Sequence, residues 1–235
     1  LAWGRNGNID VNNPHNFRTR SSVLININDQ NILIDTSPDL RDQLYKAKCT
    51  KIDAVLFTHE HSDHTAGLPD MRAMSLINKS IIPAYSSETI RESLLNNYKF
   101  IFEGQRDYTP FMNLNTIQDS FSIGNTKIKT FKHNHGSIDV QTYRINNFAY
   151  STDIKNFYEN DLDKLKNLDL WIVGLLRYDP HPSHAGFDQI LDYINYLKPK
   201  RTLFTHMTAL LDQEDLLSKC PKNVEPAYDG LEVTL

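Results

Sequence analysis

This chain has few cysteines, and that scarcity excludes a disulfide-built fold. Only Cys49 and Cys220 occur in 235 residues, far apart and outside any CxxC pattern. Two isolated thiols are typical of a reduced, cytoplasmic protein, and a single long-range disulfide is the alternative. A structural zinc site built from several cysteines is therefore not expected.

Basic charge and long apolar runs are also lacking. The formal net charge is −4 and no lysine or arginine run stands out, so nucleic-acid binding would need a local basic patch. Apolar stretches stay below the ~18 residues of a membrane span, and no signal-peptide pattern is present. We expect a cytoplasmic protein with no membrane partner.

Linkers, repeats and low-complexity tracts are absent from the sequence. Hydrophobic residues make up 40% of the chain, which is enough to bury a sizeable core. Chains of this length often fold undivided in the α/β class. We therefore expect residues 1–235 to form one enzyme domain.

The chemically richest segment is FTHEHSDH at residues 57–64. It follows an apolar run at residues 53–57 that predicts a buried strand, and a helix is expected from residue 66, so the segment is predicted to be the connecting loop. Imidazoles suit Zn²⁺ and carboxylates suit Mn²⁺, so the mixture fits a hydrolytic first-row metal. A surface loop that happens to be rich in histidine is the alternative. The candidate ligands are His59, His61, Asp63 and His64.

The pattern His-x-His-x-Asp-His after a strand resembles the signature loop of the metallo-β-lactamase superfamily. The resemblance implies an α/β fold, a four-layer αββα sandwich with the metals at one edge. Relatives begin with a strand that has no counterpart before the RTRSS segment of this chain. We therefore expect a sandwich that lacks its first strand, in a truncated chain.

The family order also implies three later ligands at strand ends, namely His135, Asp153 and His206. His133 is the alternative to His135, and a turn or helix-cap role is the alternative for Asp153. Two divalent ions, Zn²⁺ or Mn²⁺ with Fe²⁺ also compatible, would lower the pKa of a shared water, which implies hydrolysis. In the implied arrangement one ion is held by His59, His61 and His135, the other by Asp63, His64 and His206, and Asp153 bridges them.

Asp35 ends a second predicted strand and matches an acidic position common in the superfamily. The resemblance implies that it accepts the N–H of a ligating imidazole, which fixes the tautomer of that ring. A turn-forming role before Ser37 and Pro38 is the alternative.

The segment RYDPHPSH at residues 177–184 resembles the phosphodiesterase branch, which contains tRNase Z and the cyclic-phosphate phosphodiesterases of phosphonate breakdown. In those relatives a histidine at the position of His184 contacts phosphate and can protonate the leaving oxygen, because an alkoxide is expelled slowly without a general acid. The resemblance implies that catalytic role for His184 and a substrate contact for His181. A surface histidine, or one beside a helix cap, is the alternative.

Three further residues are candidate substrate contacts. Arg18 and Arg20 in the RTRSS segment resemble arginines of relatives and could clamp a phosphate, and a structural pair is the alternative. Tyr228 lies in a PAYDGL segment that resembles the terminal turn of the family, where it lines the cleft or closes the fold. Residues 85–119 are rich in aromatics without a glycine-rich basic tip, so tRNA is not expected as a substrate.

Together these observations predict a dinuclear phosphodiesterase of small cyclic or nucleotide-like phosphates. The partner is then a small phosphate ester, and relatives make a homodimer plausible. One alternative is a lactonase or thioesterase on the same fold, in which His184 would be idle. Another is a non-catalytic metal-binding assembly protein, similar to the relatives associated with pyrroloquinoline quinone.

Overall fold

A computed structural model describes residues 9–235, and these residues form two compact units. The N-unit comprises residues 20–128, and the C-unit comprises residues 9–19 with 129–235. The predicted absence of a first strand concerns the start of the chain, where residues 1–8 lie outside the described residues. That the chain is one domain stays a prediction.

The N-unit is built around a five-stranded sheet whose strands follow each other in chain order. The first two strands are antiparallel, and the next three pairings are parallel. Because the carboxyl ends of parallel strands meet at one edge of a sheet, the segments that follow β2 and β3 are neighbours. The strands are β1 Val23–Ile27, β2 Gln30–Ile34, β3 Ala54–Leu56, β4 Ile82–Ser86 and β5 Met112–Thr116.

A two-residue turn joins β1 to β2. Asn28 and Asp29 have φ values of 50° and 58°, the left-handed pair that a type I′ hairpin turn requires. The sequence predicts the turn at Asp29 and Gln30, one residue later. The difference arises because Asn28 tolerates the left-handed conformation, which frees Gln30 to pair with Ile27.

Four helices belong to the N-unit, whose apolar core includes Leu33, Val55 and Phe57. The predicted connecting loop after β3 is partly wrong, because a one-turn helix begins at Ser62 instead of residue 66. Asp63 in that first turn favours the helix, since a carboxylate is stabilised near a helix N-terminus. The helices are α1 Leu40–Lys46, α2 Ser62–Thr65, α3 Met71–Asn78 and α4 Glu88–Phe102.

A second sheet has eight strands in the order β10-β7-β8-β9-β11-β12-β13, with β6 also paired to β7. The strands β9, β11, β12 and β13 run parallel, so the residues that follow them lie along one edge. The strands are β6 Ser120–Ile123, β7 Thr126–His135, β8 Ile138–Ile145, β9 Phe148–Ser151, β10 Asn156–Phe157, β11 Leu170–Gly174, β12 Arg201–Thr205 and β13 Val224–Pro226.

Two helices of the C-unit complete its core. The first, α5 Phe187–Leu197, connects β11 to β12 and buries Ile190 and Ile194 beside Trp171 and Phe204. The second, α6 Gln213–Lys219, is capped by Asp212, whose carboxylate accepts two backbone N–H groups of the first turn. Across residues 9–235, every helix is too short or too polar to cross a bilayer.

Candidate metal centre

The candidate ligands fall into two clusters, one in each unit. The N-cluster comprises Asp35, His59, His61, Asp63 and His64, and it lies after β2 and β3. The C-cluster comprises His135, Asp153, His184 and His206, which lie at the end of β7, after β9, before α5 and after β12, respectively.

Three imidazoles of the N-cluster lie side by side. The ring centroid of His59 is 4.5 Å from that of His61 and 4.3 Å from that of His64. The rings of His59 and His64 are fully buried, whereas His61 is exposed. Oδ2 of Asp63 lies 3.7 Å from Nε2 of His64 and 3.7 Å from Nη1 of Arg20.

Asp35 fixes the orientation of two of these rings. Its Oδ2 is 2.8 Å from Nδ1 of His64 and accepts the Thr58 hydroxyl at 2.7 Å, and its Oδ1 accepts the Thr58 N–H at 2.8 Å. Because the Thr58 hydroxyl donates its one proton to Asp35, it accepts a hydrogen bond from Nδ1 of His59, 3.0 Å away. Both rings therefore carry their proton on Nδ1 and keep the lone pair of Nε2 for a ligand.

The C-cluster converges on a single carboxylate oxygen. Oδ1 of Asp153 is 3.4 Å from Nε2 of His206, 3.8 Å from Nε2 of His135 and 3.8 Å from Nδ1 of His184. These separations are too long for hydrogen bonds. Ligand atoms about 2.1 Å from a tetrahedral ion lie about 3.4 Å from each other, so the spacing fits donors that share a metal.

The backbone also orients the ring of His135. Its Nδ1 is 2.8 Å from the carbonyl oxygen of Ser183, and because a carbonyl only accepts, Nδ1 carries the proton. Nε2 is then the unprotonated nitrogen, and it lies on the side of Asp153. His133, the sequence alternative, is fully buried, with its two ring nitrogens bonded to Thr142 and Thr152. Burial lowers the pKa of His133 to about 4.

His184 lies within the C-cluster. Its ring centroid is 4.6 Å from that of His135 and 5.9 Å from that of His206, and its side chain is 12% exposed. Ligand atoms of His135, Asp153 and His184 all lie within 4.8 Å of one another. Burial lowers the pKa of His184 to about 4, although Asp153 opposes the shift. The position suits either a metal ligand or a group that exchanges a proton with substrate.

His181 forms a small antiparallel bridge with His184. The two residues exchange backbone hydrogen bonds of 2.9 Å and 3.2 Å, and their ring centroids are 5.5 Å apart. Nδ1 of His181 is 3.0 Å from the Ser183 hydroxyl, and Nζ of Lys155 donates to its carbonyl at 2.7 Å. The bridge holds the backbone that presents His184.

The other candidate substrate contacts, Arg18, Arg20 and Tyr228, differ from one another in burial and in their partners. Arg18 is buried, and its guanidinium donates to the Leu211 carbonyl at 3.0 Å and to Oε1 of Gln213 at 2.7 Å, which favours the structural alternative. Burial lowers its pKa. The side chain of Arg20 is 50% exposed. Tyr228 is half-buried and stacks on His15 with ring centroids 3.9 Å apart.

Three candidate residues share an unusual backbone. Asp35, Asp153 and His206 have φ values of 62°, 53° and 59°, and each follows a strand by one or two residues. Left-handed conformations cost free energy in non-glycine residues and concentrate at functional sites. Sequence reasoning has no signal for this feature, nor for the part that Thr58 and the Ser183 carbonyl take in orienting the rings.

Comparisons with known proteins identify the family of the chain. A family model described as "Beta-lactamase superfamily domain" matches residues 30–207. A solved structure, described as a new diphosphatase from the PhnP family, is 31% identical with a TM-score of 0.87, over 93% of this chain and 84% of that one. Zn²⁺-bound PqqB from Methylobacterium extorquens has the same fold at 18% identity, with a TM-score of 0.75 over 93% and 88% of the two chains.

A curated relative carries a different name. An octanoyltransferase of Porphyromonas gingivalis is 32% identical over 230 residues, which is 94% of this chain and 46% of that protein. The chain therefore spans about half the length of this relative. The predicted α/β fold of the metallo-β-lactamase type is confirmed by the family model and by the diphosphatase structure.

Proposed function

Because the chain belongs to the beta-lactamase superfamily and has the fold of its metal-dependent hydrolases, we propose that it cleaves small phosphate diesters or diphosphates. The cyclic and nucleotide-like esters expected from the sequence are the favoured substrates. The observation that carries the proposal is the convergence of three imidazoles, His184 among them, on one oxygen of Asp153. The resemblance to a diphosphatase supports the phosphate class.

In this proposal each of the two clusters supplies ligands for divalent ions, two in all. The donors are neutral imidazole nitrogens and carboxylate oxygens, a set that suits Zn²⁺ and also accommodates Mn²⁺. When bound, the ions would lower the pKa of a shared water and offset the charge that develops on phosphoryl oxygens. The proposed ligands are His59, His61, Asp63, His64, His135, Asp153 and His206.

The protein side chains supply the remaining chemistry. His184 is the proposed proton donor to the leaving oxygen, because an alkoxide departs slowly unless it is protonated. A bound phosphate anion would favour the protonated form of that ring. The exposed guanidinium of Arg20 is the proposed phosphate contact, since its planar fork matches phosphate oxygens.

The test is a substrate panel on the metal-loaded protein. One arm contains bis-p-nitrophenyl phosphate, a cyclic nucleotide and a nucleotide diphosphate sugar, and the other contains a lactone and an octanoyl thioester. We expect turnover in the first arm that is lost with a chelator and restored by Zn²⁺ or Mn²⁺. The Asp63→Ala variant should lose this turnover.

Two outcomes would overturn the proposal. Turnover confined to the lactone or thioester would indicate an acyl substrate, as the name of the octanoyltransferase relative suggests for that protein. Metal binding without turnover of any compound in either arm would indicate a binding module.

A further inference from the structure

A chain of buried polar groups crosses the second sheet next to Asp153. Nε1 of Trp171 is 3.1 Å from the Ser151 hydroxyl, which is 2.9 Å from the Thr142 hydroxyl, which is 3.0 Å from Nδ1 of His133. These residues lie on β11, β9, β8 and β7, four adjacent strands. All four side chains are fully buried. We call this set the polar ladder.

The two ends of the polar ladder fix the direction of every hydrogen bond in it. An indole N–H can only donate, so Trp171 donates to Ser151. At the other end Nε2 of His133 is 2.7 Å from the carbonyl oxygen of Thr152, which can only accept, so Nε2 carries the proton.

A charge on a fully buried ring that bonds only a hydroxyl and a carbonyl would be costly, so the ring is neutral and Nδ1 accepts from Thr142. Ser151 then donates to Thr142. Each group in the polar ladder therefore donates one hydrogen bond to the next, in the direction from Trp171 to the carbonyl of Thr152.

That carbonyl belongs to the peptide group that leads into Asp153. Asp153 has a left-handed backbone with φ of 53°, and its Oδ2 accepts the Thr152 hydroxyl at 2.6 Å. Gly174 leaves room for this peptide, because a Cβ there would lie 2.8 Å from the Asp153 nitrogen. A strained residue keeps its conformation only when its surroundings over-determine it.

We infer that His133 is a positioning residue for Asp153, acting through the Thr152 carbonyl. Without the Nε2–H donor, the peptide before Asp153 loses a restraint, and Oδ1 no longer stays at the point where His135, His184 and His206 meet. The inference rests on the proposed role of Asp153 as a metal ligand. Outer partners of metal ligands typically change metal affinity by about 10–100-fold when removed.

The first test needs neither metal nor substrate. Nitrogen-15 NMR of the histidine rings in the chelator-treated protein should show His133 protonated at Nε2 and unprotonated at Nδ1. The Thr142→Val variant, which removes only the hydroxyl, should perturb the Nδ1 resonance. Protonation at Nδ1 instead would overturn the direction of the polar ladder and the inference with it.

The second test measures Zn²⁺ affinity by competition with a chromophoric chelator. His133→Leu should bind Zn²⁺ at least about tenfold more weakly than the wild type. His133→Gln keeps an amide N–H at a similar reach, so it should recover most of that affinity. Leu216→Ala, a buried change in α6, serves as a control that lowers thermal stability without changing affinity.

The outcomes separate this inference from the proposed function. If the wild type hydrolyses phosphate esters and all variants bind Zn²⁺ equally, the inference is wrong and the proposed function stands. If the wild type binds Zn²⁺ without turnover, the proposed function is wrong, and the affinities still decide the inference. Should His133→Leu fail to fold, the NMR result and the His133→Gln affinity remain decisive. A folded His133→Gln variant that binds Zn²⁺ about tenfold or more weakly than the wild type would refute positioning by the Nε2–H donor.

Discussion

The carboxylate of Asp35 accepts a 2.8 Å hydrogen bond from Nδ1 of His64, and both side chains are buried. The same carboxylate also accepts the hydroxyl and the N–H of Thr58. It therefore faces three donors and offers only acceptor capacity. The protonation of Nε2 of His64, the proposed metal-binding nitrogen, depends on this arrangement, because the tautomer of a ring follows from the partner of its other nitrogen.

We expect Asp35→Asn to weaken metal binding. The amide places an NH₂ group against one of the three donors, so either His64 or Thr58 loses its acceptor. Affinity for Zn²⁺ should fall about 10–100-fold, measured by chelator competition. Asp53→Asn is the matched control, since Asp53 accepts the Asn31 N–H and pairs with Lys51 without contacting a candidate ligand. Equal affinities for the two variants would contradict the assignment.

His184→Ala should reveal its role through the leaving group. For a substrate with an alkyl leaving group we expect kcat to fall by about 10²–10⁴, because the departing oxygen is no longer protonated. For bis-p-nitrophenyl phosphate the loss should be much smaller, since nitrophenolate leaves without a proton. A metal ligand would instead affect both substrates equally and lower the metal content, which elemental analysis measures.

We expect Arg18 to contribute to stability and Arg20 to contribute to substrate binding. Arg18→Leu leaves the Leu211 carbonyl and the Gln213 amide oxygen without a buried donor, so the free energy of unfolding should fall by about 2 kcal/mol or more. Arg20→Ala should change it by less than about 0.5 kcal/mol, because the pair with Asp63 is exposed. Urea titration measures both changes.

We expect the two arginine variants to rank in the opposite order for their effects on KM and on the free energy of unfolding. Arg20→Ala should raise KM for a phosphate ester several-fold, whereas folded Arg18→Leu should keep the wild-type KM. If Arg18→Leu instead raises KM for the phosphate ester, Arg18 contacts the phosphate, as the sequence-based clamp hypothesis predicts.

The thiol of Cys220 should react slowly with alkylating reagents. Burial raises its pKa to about 11, and Glu225 adds to the shift, so the thiolate is scarce at pH 8. Relative to the ordinary value of 9.0 the thiolate fraction is about a hundredfold lower. In a Cys49→Ser background the iodoacetamide rate should still be rising with pH at pH 10. A plateau near pH 9 would contradict the burial of this thiol.

Sequence periodicity predicted several elements well. The sequence predicts helices over residues 71–78 and 187–197 and a strand over residues 148–151, because apolar residues mark one helical face or a short buried run. The helices Met71–Asn78 and Phe187–Leu197 and the strand Phe148–Ser151 have these same bounds in the structure. The strand Ile82–Ser86 has no such signal, since Pro83 argues against a central strand. The strand Met112–Thr116 alternates with asparagines and is equally hard to predict.

The spacing of histidines and aspartates in the sequence predicted which residues form the candidate site, but it did not predict the geometry of the site. The His-x-His-x-Asp-His pattern and the family order name the candidate ligands without any coordinates. The left-handed backbone of Asp35, Asp153 and His206 could not be predicted, because it depends on contacts from distant strands. The burial of Arg18 was equally invisible, since its partners Leu211 and Gln213 lie far along the chain.

The polar ladder has a consequence for how this protein can change. Replacing Ser151 alone by an apolar residue leaves the buried indole N–H of Trp171 without an acceptor, whereas replacing Ser151 and Trp171 jointly removes that demand and keeps the bond from His133 to the Thr152 carbonyl. Single-step mutational paths through these positions should therefore be strongly epistatic. A library that randomises Trp171 and Ser151 together should yield active sequences that saturation of Ser151 alone never reaches.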